Sequence, residues 1–352
     1  MYSFKTMLIK FTTFFALFGI AVSHFSFEWD KFKHDYNKQY ATVEEETQRK
    51  EIFIENVKEM YSYREMHPNA TFTMAINHLF DRRIEEIVPA RKIRKEFHKT
   101  PIQSSSRKMD FPESLDWRTK NVITKINDYL GTIITAVVST EVVESLHAIE
   151  TGELIQGSVE QIYDCCPQPI DAFDCIMNMS GICRKTDYPE PLNKCEPNKC
   201  QPFTSFNTIK RMKTPDENQM LAWLQESTLW AEMNTGGKGF RSYSGGIYDE
   251  PSCSGAVDYV VQIIGYGTEA GKPYWLGEKW GQKGYFQIVR GKNMCGIANV
   301  VIQVANTKTT DATTKSTDAT TTKSDATLQN TLIPIYFVFL LTAISRKIVT
   351  YC

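Results

Sequence analysis

The order of cysteine and histidine along the chain constrains it more than any other feature. Nine cysteines occur in 352 residues, and none precedes Cys165. Cys165, Cys166, Cys175, Cys183, Cys195, Cys200, Cys253 and Cys295 crowd the second half, and Cys352 is the last residue. Histidines run the other way: His24, His34, His67, His78, His98 and His147, with none beyond. A mechanism that needs an early cysteine and a late histidine is excluded by this order alone. Clustered cysteines can also bind zinc. Here Cys165-Cys166 and Cys195-x4-Cys200 lack paired CxxC spacing and have no nearby histidine, so disulfides are expected, with no metal and no cofactor.

Both ends read as targeting segments. Residues 1–23 have a basic start at Lys5 and Lys10, an apolar run from Phe11 to Val22, and small residues at Ala21-Val22-Ser23, as in a secretory signal. Secretion implies an oxidising compartment and paired cysteines. Two glycosylation sequons suit that compartment, at Asn69-Ala70-Thr71 and Asn178-Met179-Ser180. Residues 307–330 form a Thr-rich seven-residue repeat with Asp311, Asp318 and Asp325 in register. No apolar seam runs through it, so it predicts an extended stalk suited to O-glycosylation, or a plain linker. Residues 331–352 then hold an uncharged stretch, Leu332 to Ile344, followed by Arg346 and Lys347. It reads either as a short membrane anchor or as the tail of a GPI signal behind Ser324-Asp325-Ala326. Lys+Arg number 40 against 41 Asp+Glu, a balance that gives no field for nucleic acid.

The globular part divides near residue 108. Trp29, Phe32 and Tyr36 recur at helical spacing. Glu45, Arg49, Phe53, Asn56 and Met60 follow at steps of three and four, which puts them on one helical stripe. That stripe resembles the ERFNIN signature of papain-like cysteine peptidase propeptides, with Arg64 in place of its last Asn. Ala75-Ile76-Asn77-His78-Leu79-Phe80-Asp81 resembles the Gly-x-Asn-x-Phe-x-Asp strand of the same propeptides, Asn77 and Asp81 matching. Phe111-Pro112-Glu113-Ser114-Leu115-Asp116-Trp117-Arg118 resembles the start of a mature cathepsin-L-like enzyme. The likeness returns at Tyr163-Asp164-Cys165, Tyr243 to Tyr248, Ile264 to Gly267, Trp280 to Tyr285 and Arg290 to Ala298. It covers roughly residues 25–303.

The resemblance implies an α+β, papain-like two-lobed fold, with a helical left lobe and a β-barrel right lobe. A helical inhibitor propeptide over 24–108 would precede a peptidase domain over 109–306. It also implies a Cys253–Cys295 disulfide and a bond from Cys165 to Cys195 or Cys200. The usual partner of Cys175 falls near Gly131, so Cys175 must pair anew, with Cys166 or Cys183, or stay free.

The chemistry of that family does not carry over. A papain-like site uses a thiolate at a helix N-terminus, a His, an Asn that orients the His, and a Gln for the oxyanion. Counting back from Thr151-Gly152 puts Ile134 at the nucleophile; counting forward from Asp116 puts Thr135 there. The Gln becomes Asp128 or Tyr129, and an anion there would oppose oxyanion charge. Tyr259 falls at the His, and a phenol with a pKa near 10 is a poor base. The Asn interval shrinks to Leu276-Gly277-Glu278-Lys279, which leaves Lys279 in the degenerate place. His147 lies twelve residues after Thr135 on one predicted helix, about 18 Å away. Where the family has a Gly-Cys-x-Gly-Gly turn that bonds substrate, this chain has Asp174-Cys175-Ile176-Met177-Asn178.

The reading is an inactive cathepsin-L-like homologue on a cell surface. It would bind an unidentified protein or peptide partner and meet the membrane through its C-terminal anchor, with lysosome or endosome as other locations. A regulator that inhibits active cathepsins through its propeptide, and a peptidase with an unconventional site, are the alternatives.

Overall fold

A computed structural model describes residues 25–88, 111–125, 133–167, 171–253 and 255–307. The expected signal segment, Asp128, the stalk and the hydrophobic tail lie outside the described residues. Among the described residues no helix is long and apolar enough to cross a membrane.

The propeptide region builds a core of its own from aromatic spacing. Helix α1 (residues 25–35) turns Trp29 and Phe32 inward, and α2 (Val43–Met66) brings Phe53 against both, at ring distances of 5.4 and 4.8 Å. An N-cap starts α2. Thr42 Oγ1 accepts from Glu45 N, and the Glu45 carboxylate accepts from Ala41 N, one residue before the cap. The other stripe residues clamp the segment that follows. Asn56 Nδ2 donates to the carbonyls of Phe80 and Arg82, while Arg49 pairs with Glu86 at 2.6 Å. Buried Asp81 accepts from Lys38 and Tyr40. Glu86 belongs to the short helix α3 (Ile84–Ile87).

The strand of this region is displaced from the expected place. Strand β1 is Phe72–Met74, and residues 75–81 leave the ladder. Asn77 explains the turn, because its Oδ1 accepts from Leu79 N and bends the chain locally. Its Nδ2 meanwhile donates to the carbonyl of Arg241 in the body of the protein.

That body pairs a helical part with a sheet. Helix α4 (Ile134–Thr151) is buried on nearly every side, between α5 (Val159–Cys165) and α6 (Ala172–Asn178) on one flank and the sheet on the other. Its Val137, Val138, Val142 and Val143 are poor helix formers. Complete burial of those side chains offsets the propensity cost. Gly152 ends the helix in the left-handed region at φ 78°.

The sheet comprises β2 (Leu115–Asp116), β3 (Thr208–Arg211), β4 (Leu229–Met233), β5 (Tyr243–Tyr248), β6 (Tyr259–Glu269), β7 (Lys272–Gln282), β8 (Tyr285–Val289) and β9 (Val301–Ala305), together with β1. Its order is β1-β5-β8-β7-β6-β4-β9-β3, with β2 on β6. Helix α7 (Glu217–Leu224) packs on β4 and β6. The propeptide strand thus forms one end of the sheet, antiparallel to β5 with Phe72 opposite Gly246.

Four disulfides staple the body: Cys165–Cys195, Cys166–Cys175, Cys183–Cys200 and Cys253–Cys295. Cys165 therefore takes Cys195, and Cys175 takes Cys166. Closing such loops stabilises a fold by about 2–4 kcal/mol each.

Candidate active-site region

Helix α4 begins beneath the place where the resemblance puts a nucleophile. Ile134 is its first residue and is buried, and Thr135 beside it is buried too. The preceding Ile133 makes no side-chain cap bond. If Ile134 takes the Cys of the Cys-Trp-Ala motif, Ala136 meets the motif's Ala and Thr135 its Trp. A cavity of about 490 Å³ opens there, lined by Thr135, Ala136, Ile162, Asp164, Cys166 and Ala172.

Tyr259 opens β6 from inside the protein. Its hydroxyl donates to the backbone carbonyl of Lys279 at 2.8 Å, and burial raises the phenol above its ordinary range. It serves as a donor here, the reverse of a base. His147 sits on α4 with its ring edge-on to Phe203 at 5.1 Å, far along the helix from Thr135.

Lys279 comes inward through a bulge. Glu278 and Gln282 both stand opposite Tyr285, so Lys279, Trp280 and Gly281 are looped out of the β7–β8 ladder. Lys279 and Gly281 both adopt φ 86°. Trp280 turns into an aromatic cluster, stacked on Phe240 at 4.4 Å and donating its Nε1 to the Phe240 carbonyl at 2.7 Å. Lys279 turns the other way, toward α4. Its Nζ lies 2.5 Å from Glu141 Oε1 and 3.8 Å from Glu278 Oε1, with all three side chains buried.

The cluster is acid-rich. Glu144, one turn after Glu141, accepts from Thr124 Oγ1 at 2.7 Å and from Gly157 N at 2.5 Å. Burial, with the Glu141 charge beside it, pushes Glu144 up to about 8. Burial pushes Glu278 up to about 8 as well, and neither of its carboxyl oxygens makes a hydrogen bond among the described residues. Burial works against Lys279 too, yet the facing carboxyl groups outweigh it and hold the ammonium above its ordinary range. The lysine charge is therefore fixed, and protons distribute over the three acids around it. None of Glu141, Glu144 and Glu278 stands out from sequence as a site residue. A signal did exist: two glutamates three residues apart interrupt an otherwise valine-rich helix.

The stretch 174–178 is helical, as part of α6. Asp171 caps it by accepting from Phe173 N and Asp174 N. A helix spends its backbone N–H and C=O groups internally, so this wall offers no main-chain ladder to a peptide. All eight described cysteines are in disulfides. No group of His, Cys, Asp and Glu among the described residues could hold a metal ion.

Residues 111–305 match the papain family cysteine protease domain, and residues 29–87 match the cathepsin propeptide inhibitor domain (I29). The chain belongs to the papain family. Digestive cysteine proteinase 2 of Homarus americanus is 30% identical over 311 residues, spanning 81% of this chain and 96% of that protein. Cathepsin S of Mus musculus is 29% identical over 311 residues, spanning 78% and 88%. The digestive procathepsin L2 proteinase of Tenebrio molitor superposes with a TM-score of 0.69 at 26% identity, covering 80% of this chain and 99% of that one. A recombinant stem bromelain precursor superposes equally well, with a TM-score of 0.69 at 21% identity, and shares the fold. This papain-family chain thus has the papain-like fold with a helical propeptide region. Four disulfides in a protein of this family suit the secretory pathway or the lysosome.

Proposed function

We propose that this chain is a catalytically inactive papain-family homologue, displayed outside a membrane, that works by binding rather than cleavage. One observation carries the reading: every described cysteine is committed to a disulfide, while α4 opens on the buried aliphatic side chain of Ile134. A disulfide sulfur is no thiolate nucleophile, and Tyr259 is occupied as a donor to Lys279. The helical α6 wall also removes main-chain partners for a substrate strand. The Thr-rich stalk and hydrophobic tail would hold the body away from the bilayer. Full-length protein from secretory expression should stay unlabelled by an activity-based epoxide probe and leave casein intact. Covalent labelling, or cleavage that disappears in Tyr259→Phe, would overturn the reading in favour of an unconventional peptidase.

A second reading makes the propeptide region an inhibitor of active relatives. Its support is the region's own aromatic core of Trp29, Phe32 and Phe53. A 24–108 fragment at micromolar concentration should then slow a cathepsin-L-like enzyme. Unchanged rates across several such enzymes would reject it.

A further inference from the structure

We infer that Asn178 carries an N-linked oligosaccharide. Short sequons arise often by chance, so the triplet Asn178-Met179-Ser180 needs a reason beyond its pattern. The fold supplies one by leaving both end residues without other work. Asn178 is the exposed last residue of α6, and Ser180 is exposed two residues on. Neither side chain makes a hydrogen bond among the described residues, although the Ser180 amide donates to the Met177 carbonyl at 3.0 Å.

Backbone conformation sharpens the point. Ser180 sits at φ 65°, in the left-handed region, where glycine or asparagine is accommodated more easily than serine. Folding alone would therefore favour another residue there. A hydroxyl two positions after Asn178 is what serine contributes. The first sequon differs in this respect. Thr71 Oγ1 donates to the Ile247 carbonyl at 2.7 Å and takes a bond from Lys272 Nζ at 3.2 Å, so Thr71 is explained by docking the propeptide region.

The co-substrate is a lipid diphosphate-linked oligosaccharide, supplied in the oxidising compartment that the four disulfides require. The Asn178 Nδ2 nitrogen attacks the anomeric carbon and loses one amide proton. The glycosyl–oxygen bond breaks, and the lipid diphosphate leaves with its electron pair. The product stands at the end of α6, flanked by half-buried Met177 and Met179. It places a bulky hydrated group on the face where relatives would be approached by peptide, and it restricts any protein partner to another face.

The test uses the full chain from eukaryotic secretory cells. Peptide-N-glycosidase digestion in heavy-oxygen water should convert Asn178 to labelled Asp, and intact mass should fall by a glycan. Asn178→Gln and Ser180→Ala should each remove that glycan, while Ser180→Thr should keep it. Ser180→Gly removes the hydroxyl and suits the positive φ, so it should secrete as folded protein lacking the glycan. An unmodified Asn178 peptide from the secreted chain, or a glycan that persists in Ser180→Gly, would overturn the assignment. Neither result depends on whether the protein cleaves peptides.

Discussion

Glu278 is the residue whose surroundings predict most about behaviour in solution. It faces Glu141 and Glu144 from α4, Lys279 from its own strand, and Arg118 and Tyr285 from the other side. Its folded pKa is about 8 against an ordinary value of 4.5, so the folded protein holds a proton that the unfolded chain releases. The stability from that proton is complete below about pH 4.5. It declines as pH rises, and is gone above about pH 8. Glu144 acts in the same window and the same direction. Thermal stability should therefore fall between pH 5 and pH 8, by on the order of a few kcal/mol. Glu278→Gln should flatten that fall and raise the melting temperature at pH 8, with little change at pH 5. Melting curves at the two pH values check this, and an unaltered slope in the variant would refute it.

At the scale of elements, the join between β1 and β5 is the point most open to test. Gly246 lies at φ 78°, and a Cβ there would come within 2.6 Å of the Thr71 carbonyl oxygen and 3.0 Å of Phe72 Cα. Gly246→Ala should cost about 1 kcal/mol for the left-handed backbone alone, and more for the clash. Because the clash falls on the propeptide strand, amide exchange at Phe72–Met74 should speed up well before exchange in β6. Hydrogen exchange with mass spectrometry reads both strands, and equal acceleration in the two would contradict the local origin. Some of these elements are legible in the sequence. The Glu45–Met60 stripe is a local pattern, and it gives a helix at the expected place. Other elements are not. The Glu278–Gln282 bulge is a matter of strand register, which depends on what Tyr285 faces across the ladder. Helix α6 stands where the resembled family has a glycine-rich turn, and its local signal is the Asp171 cap.

Across the whole molecule, the order of cysteines and histidines bears only on the nucleophile and base of a papain-like site. It could not indicate the Lys279 cluster, because Glu141 and Lys279 are 138 positions apart and meet only when the β7 bulge aims Lys279 at α4. The two lobes share that contact, so one buried charge pair helps hold helix and sheet together. Breaking such a pair by removing one partner costs about 3–5 kcal/mol.

The absence of cysteine before residue 165 has a further consequence for how the protein would be handled at the bench. Every described disulfide lies within the body, so no covalent bridge ties the propeptide region to it. A cut anywhere in residues 89–110 would leave two polypeptides held by the β1–β5 ladder, by the buried bond from Tyr63 to Glu250, and by Asn77 on Arg241. They would elute as one particle on gel filtration and separate into two bands on a denaturing gel, with or without reductant. Band size alone therefore says nothing about whether the inhibitor-like region is still seated.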